Sequence, residues 1–194
     1  MISSRVNFPD GGFHPVKRSI SVTGALFLVL LAIAGCSKED EYSQPESFSF
    51  IVYPGSRFLG KLTEATRQAH KLIKPNEEPP PVAVYDTDAS VEDVATFYAK
   101  SYGYSKVAPD ATNNMSTVAP QAYYRTGDLA TDARSIQSLL TRLKLSSDIS
   151  KAAGTYKAAE IAPRPNRPRV TIQRPYFDET TSQVVDKTII LMSR

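Results

Sequence analysis

Apolar and polar positions along the chain follow two periods, and the clearest switch between them lies in Val82 to Tyr104 (VAVYDTDASVEDVATFYAKSYGY). Val82, Val84 and the ring of Tyr85 form a β-branched and aromatic run behind Pro79-Pro80-Pro81, which predicts a short strand that the prolines keep from being helical. Ser90 then stands at an N-cap position with Glu92 and Asp93 in the first turn, where carboxylates meet unpaired amides and the positive end of the helix dipole. Val91, Val94, Ala95, Tyr98 and Tyr102 recur at helical spacing, Phe97 widens the apolar face, and Gly103 supplies a left-handed stop.

The same rules place weaker elements on either side. Phe48 to Tyr53 alternates as a strand ended by the Pro54-Gly55 turn, and Leu62, Ala65, Ala69, Leu72 and Ile73 predict a helix from Leu62 to Lys74. Tyr104 to Ala108 and Gln121 to Arg125 read as strands around a polar loop at Pro109 to Thr117. Gly127-Asp128 punctuates the chain before a helix capped by Thr131 or Asp132 and carrying Ile136, Leu139, Leu140, Leu143 and Leu145. Tyr156 to Ile161 is a further strand. Pro163 to Pro168 (PRPNRP) reads as an extended basic connector, and Arg169 to Arg174 with Gln183 to Met192 closes the chain as a hairpin. Mixed helices and antiparallel strands predict an α+β fold, mainly antiparallel sheet, with two to three helices packed on one face.

Upstream of these elements the pattern changes to an address. Lys17 and Arg18 precede the apolar run Ile20 to Ala34, which is about fifteen residues long against the ~20 that a spanning helix needs. Ile33-Ala34-Gly35-Cys36 resembles the bacterial lipobox, which implies cleavage between Gly35 and Cys36 and lipidation of Cys36, the only cysteine. By the same resemblance to Gram-negative lipoproteins, Ser37 implies sorting to the outer membrane. Residues 1–15 contain Pro9, Gly11, Gly12, Pro15 and an acid, unlike a signal n-region, and point to a start at Val16. The expected organisation is therefore a signal peptide over 1–35, a lipidated polar tether over 36–49 (SKEDEYSQPESFS after the cysteine) and a single domain over 50–194.

Composition adds exclusions. The chain has 194 residues, 41% of them apolar, enough for one ordinary core. Of 23 basic and 20 acidic residues, Arg5, Lys17, Arg18 and Asp10 precede Cys36, leaving 20 against 19 and arguing against nucleic acid as a partner.

The Tyr53-Pro54-Gly55 turn, the Tyr85-x-Thr87 strand end, the Ser90 to Tyr98 helix with its Phe97-Tyr98 pair and the Val170-x-Ile172 hairpin resemble those of uncharacterised bacterial lipoproteins with a small α+β domain. The likeness covers most of 50–194. It implies a fold and an address and lends no catalytic residues.

Candidate chemistry is sparse. Asp86, Asp88 and Ser90 have the spacing of a calcium loop, but Val91 replaces its glycine and Phe97 its bidentate glutamate, so no metal or other cofactor is expected. His70 is the only histidine beyond the signal, with no Gly-x-Ser-x-Gly in the chain, and reads as a surface helix residue. Asp178-Glu179 and Asp86-Asp88 read as solvated turn acids. Tyr123, Tyr124 and Tyr176 offer ring faces for a glycan, although tyrosines at strand positions face a core by default. Arg164, Arg167, Arg169 and Arg174, among three prolines, have two readings: contacts for an anionic partner, or a solvated strand edge kept from pairing by Pro and charge. The expected function is a non-catalytic binding or accessory module of the envelope, held on the bilayer by acylated Cys36 and contacting an envelope protein or polymer. The alternative is an envelope-polymer hydrolase using acidic residues only.

Overall fold

The computed structural model describes residues 50–109, 121–142, 149–178 and 181–194. Gly35 and Cys36, the tether, the start of the strand expected from Phe48, most of the 109–117 loop, Leu143, Leu145 and Glu179 lie outside the described residues, as do the side chains of Ile136, Leu139 and Leu140.

The chain runs β1 (Arg57–Phe58), α1 (Gly60–Ile73), β2 (Val82–Thr87), α2 (Val91–Ser101), β3 (Ala122–Asp128), α3 (Leu129–Arg142), β4 (Thr155–Ile161), β5 (Arg169–Arg174), β6 (Tyr176–Asp178), β7 (Gln183–Val185) and β8 (Thr188–Ser193). Six strands make one sheet in the order β1-β2-β8-β5-β4-β3, and β6 with β7 forms a separate hairpin. Every neighbouring pair is antiparallel. The α+β class with a mainly antiparallel sheet is thus present.

Strand alternation divides the helices between both faces, unlike the one-faced packing expected. Ala83 and Tyr85 of β2, Ala159 and Ile161 of β4, Val170 and Ile172 of β5, and Ile190 and Met192 of β8 pack with Val94, Ala95 and Tyr98 of α2. Their neighbours Val82, Val84, Ile189 and Leu191 pack on the other face with Leu62 and Ala65 of α1. Beside them Ala158 and Tyr156 join Leu129 and Ala133 of α3, Ala69 of α1 and Phe177 of β6. The alternation of β5 concealed this second layer, because its polar residues Thr171 and Gln173 are also buried. Both find acceptors there, Thr171 in Glu160 and Gln173 in the Pro175 carbonyl.

α2 forms as its sequence dictates. Ser90 Oγ accepts from Asp93 N–H at 3.1 Å, Glu92 and Asp93 occupy the first turn, and Gly103 follows at φ 74°. Burying Val94 and Tyr98 completely stabilises the fold by roughly 1.5–3 kcal/mol each. α1 has no side-chain cap at Leu59. Its Thr63 hydroxyl instead donates to Leu59 O at 2.9 Å and accepts from Val84 N–H of β2 at 3.0 Å.

Other expectations shift. Phe50 to Tyr53 is not a strand, and the two-residue β1 after the Tyr53-Pro54-Gly55 turn pairs with β2 instead. Tyr104 to Ala108 makes only an isolated bridge at Ala108. β3 continues through Gly127, and Asp128 rather than Thr131 or Asp132 caps α3, accepting from Thr131 N–H at 2.8 Å. The Pro163–Pro168 connector is a tight turn: Arg167 N–H donates to Arg164 O at 2.9 Å, with Pro165 and Asn166 (φ 62°) at the corners, the φ signature of a type II turn. Two ends of the sheet follow from the register. Val82, Ser193, Arg169, Ile161 and Ala122 lie at one, and Thr87, Thr188, Arg174, Thr155 and Asp128 at the other.

Candidate functional site

The β4–β5 turn projects from the first of these ends and carries two of the expected arginines. Arg164 lies over the ring of Tyr104 at 4.6 Å, and Arg167 over Tyr102 at 5.2 Å. Each ring also ties down the backbone next to its arginine: Tyr104 OH donates to Ala162 O and Tyr102 OH to Pro168 O, both at 2.9 Å. The rings are placed by α2 and its glycine stop, because Tyr102 is the C-cap and Gly103 turns the chain so that Tyr104 follows on the same side. Behind them Tyr98, Phe97 and Tyr53 continue an edge-to-face aromatic row, and Tyr98 OH accepts from Tyr53 N–H. Burial pushes the Tyr102 hydroxyl up to about 12, although Arg167 pulls the other way, so the ring is neutral under the guanidinium.

A guanidinium stacked on a phenol ring keeps its planar donor fork for a carboxylate or phosphate, and the stack fixes where the fork stands. Arg167 Nη1 is buried with no hydrogen-bond partner among the described residues. Among the described residues Arg164 donates to Gln121 Oε1, at 3.5 Å. Sequence-adjacent to Ser193, the paired neighbour of Arg169, Arg194 stands over Phe50 at 5.4 Å and donates its N–H to Pro81 O.

Arg169 and Arg174 part company with the turn. Arg169 starts β5 on the opposite face, close enough to Glu160 to help hold its carboxyl down. Arg174 ends β5 about 17 Å further on at ~3.3 Å per residue. There it pairs with Asp186 at 2.8 Å and donates to Asp88 O, which raises its own pKa and lowers that of Asp186. Neither arginine belongs to a protected sheet edge, since β5 lies between β8 and β4.

The end that holds Arg174 is rich in closed ion pairs. Lys187 meets Asp88 at 3.2 Å, Lys157 meets Glu92, and Arg57 grips the buried Asp86 with two donors at 3.1 and 2.8 Å. The three side chains with calcium-loop spacing are therefore engaged separately: Asp86 with Arg57, Asp88 with Lys187, and Ser90 as a helix cap. Asp178 lies in β6. His70 is half-buried rather than on the open surface, with Nε2 buried and unpartnered among the described residues, beside a small apolar groove formed with Pro80, Val82 and Leu191. Tyr176 is buried and donates to Asp86 at 3.4 Å, Lys157 lies over the ring of Tyr124 at 4.8 Å, and Tyr123 is half-buried.

One polar cluster escaped the sequence pattern. On the α3 face, Arg125 donates to Tyr156 OH at 2.6 Å and faces Glu160 at 3.4 Å, Tyr156 OH donates to Asp132 at 2.5 Å, and Thr171 OH donates to Glu160 at 2.9 Å. Burial raises the pKa of Glu160 despite Thr171 and Arg125. Glu160 is only 6% exposed. The alternation of β4 places it on the same face as the buried Tyr156 and Ala158, which is the one local hint of burial. Its partners Arg125 and Thr171 come from β3 and β5, and the Tyr156 hydroxyl beside them reaches Asp132 of α3, so the cluster is joined only by the fold.

Comparison with protein-family models, with curated proteins and with solved structures finds no match to this chain. No helix among the described residues is long and apolar enough to cross a membrane.

Proposed function

We propose that the chain is a lipid-anchored, non-catalytic binding module of the bacterial envelope, held through Cys36 in the outer membrane, and that its anionic partner is bound at the Arg164–Arg167 turn. The anchoring part of this reading rests on Ile33-Ala34-Gly35-Cys36 and the apolar run before it. The binding part rests on one contrast between the two ends of the sheet. At the far end Arg57, Arg174, Lys157 and Lys187 are each spent on a neighbouring carboxylate, whereas Arg164 and Arg167 lie on tyrosine rings.

Two measurements test it. A radiolabelled fatty acid fed to the producing bacterium enters the protein and fails to enter a Cys36→Ala variant; persistent labelling sinks the anchor. On phosphocellulose, the detergent-solubilised protein is retained to higher salt than an Arg164→Glu/Arg167→Glu variant. An Arg174→Glu/Lys187→Glu variant of equal charge keeps most of the retention. Equal losses would reduce the site to net charge alone.

A further inference from the structure

Where the chain enters the domain decides which way the arginine end faces. Phe50, the first described residue, lies under Arg194, and Arg194 bonds to Pro81 just before β2, so the tether from Cys36 arrives at the same end as the β4–β5 turn. Thirteen residues, Ser37 to Ser49, separate the cysteine from that entry. A chain of thirteen residues reaches at most about 45 Å, so the entry end cannot stand far from the bilayer. Charge then selects the domain's tilt. Arg164, Arg167 and Arg194 stand at the entry end, whereas the far-end cations Arg57, Arg174, Lys157 and Lys187 are each paired with a carboxylate there. Tyrosine rings beneath arginines suit an interface that is part apolar and part charged.

We propose that this end docks on the bilayer that carries Cys36, with Arg164, Arg167 and Arg194 bound to the phosphates of anionic phospholipid headgroups. The inference rests on the lipid-anchored reading above and names the partner of the same arginine site. Attraction to an anionic surface acts within about one Debye length, ~8–10 Å at moderate salt, so it is felt at the entry end and not at the far one. Docking would hold the Asp88 end outward into the periplasm.

The test uses the mature lipidated protein in vesicles of phosphatidylethanolamine with phosphatidylglycerol, and in matched vesicles with phosphatidylcholine instead. Because Cys36 carries lipid, Ser105→Cys beside Tyr104, or Thr155→Cys at the far end, provides a single free thiol for a fluorophore; both residues are exposed. A headgroup spin label should quench the probe at 105 several-fold more than that at 155 on phosphatidylglycerol. The difference should vanish on phosphatidylcholine, in high salt and with Arg164→Glu/Arg167→Glu. Equal quenching at both sites on acylated protein overturns the docking and leaves the anchor standing. Absence of the acyl mass on Cys36 overturns both. The acidic tether, with Glu39, Asp40, Glu41 and Glu46, is the rival occupant of the arginines. Quenching at 105 that appears only after those acids are replaced by glutamine and asparagine also overturns the proposal.

Discussion

Gly127 of β3 faces Tyr156 of β4 so closely that a Cβ at Gly127 would come within 2.3 Å of the tyrosine's hydroxyl end. The ring cannot step aside freely, because Arg125 and Asp132 both hold its oxygen. Gly127→Ala should therefore destabilise the domain by about 1–3 kcal/mol, read as a lower urea midpoint at unchanged slope. In a Tyr156→Ala background the same substitution should cost much less. Strictly additive costs would show that the two positions do not compete for this space.

Glu160 gives the fold a pH dependence of definite sign. Its carboxyl titrates above the ordinary 4.5 because burial disfavours the charge, so the folded chain binds its proton more tightly than the unfolded chain. The stability it contributes is present below 4.5, falls as pH rises through the interval up to the raised value, and stays lost above it. Glu160→Gln does not titrate. Denaturation of parent and variant between about pH 4 and pH 8 should show the difference moving in the variant's favour as pH rises, and a difference independent of pH would contradict the raised value.

Ser90→Ala removes the acceptor for Asp93 N–H and should cost about 1 kcal/mol, while Ser90→Asn should cost only a fraction of that. Thermal melts of the two variants decide it. No difference between them would mean that the cap does not limit the stability of α2.

The β2–α2 stretch was readable because each of its signals acts within a few residues: prolines before, serine at the cap, valines and tyrosines at helical spacing, glycine after. β1 was missed because two residues carry no period and exist as a strand only through Asp86 and Tyr85. The β4–β5 connector was misread because three prolines suggested extension, although Pro165-Asn166 is itself a turn signal in which proline sets one corner and asparagine tolerates the left-handed other. The second helical layer had its own sign in Ile189 to Met192, a continuous apolar run that suits a strand covered on both faces. For the candidate site, the sequence supplied Arg164 and Arg167 but not their footing. Tyr102 and Tyr104 lie some sixty residues upstream, and nothing local pairs them with the turn. Arg174 was grouped with them by proximity in sequence, which along a strand becomes distance in space.

Thr63 has a consequence for how the domain meets other chains. β1 covers only Tyr85 and Asp86, so the start of β2 would otherwise present an open row of backbone donors and acceptors at the sheet margin. Leu59 N–H takes the Val84 carbonyl and the Thr63 hydroxyl takes the Val84 amide. A single hydroxyl thus passes the ladder into the first turn of a helix and ends it there. Strand addition is closed off at Val84, both to an extended peptide and to a second copy of the chain.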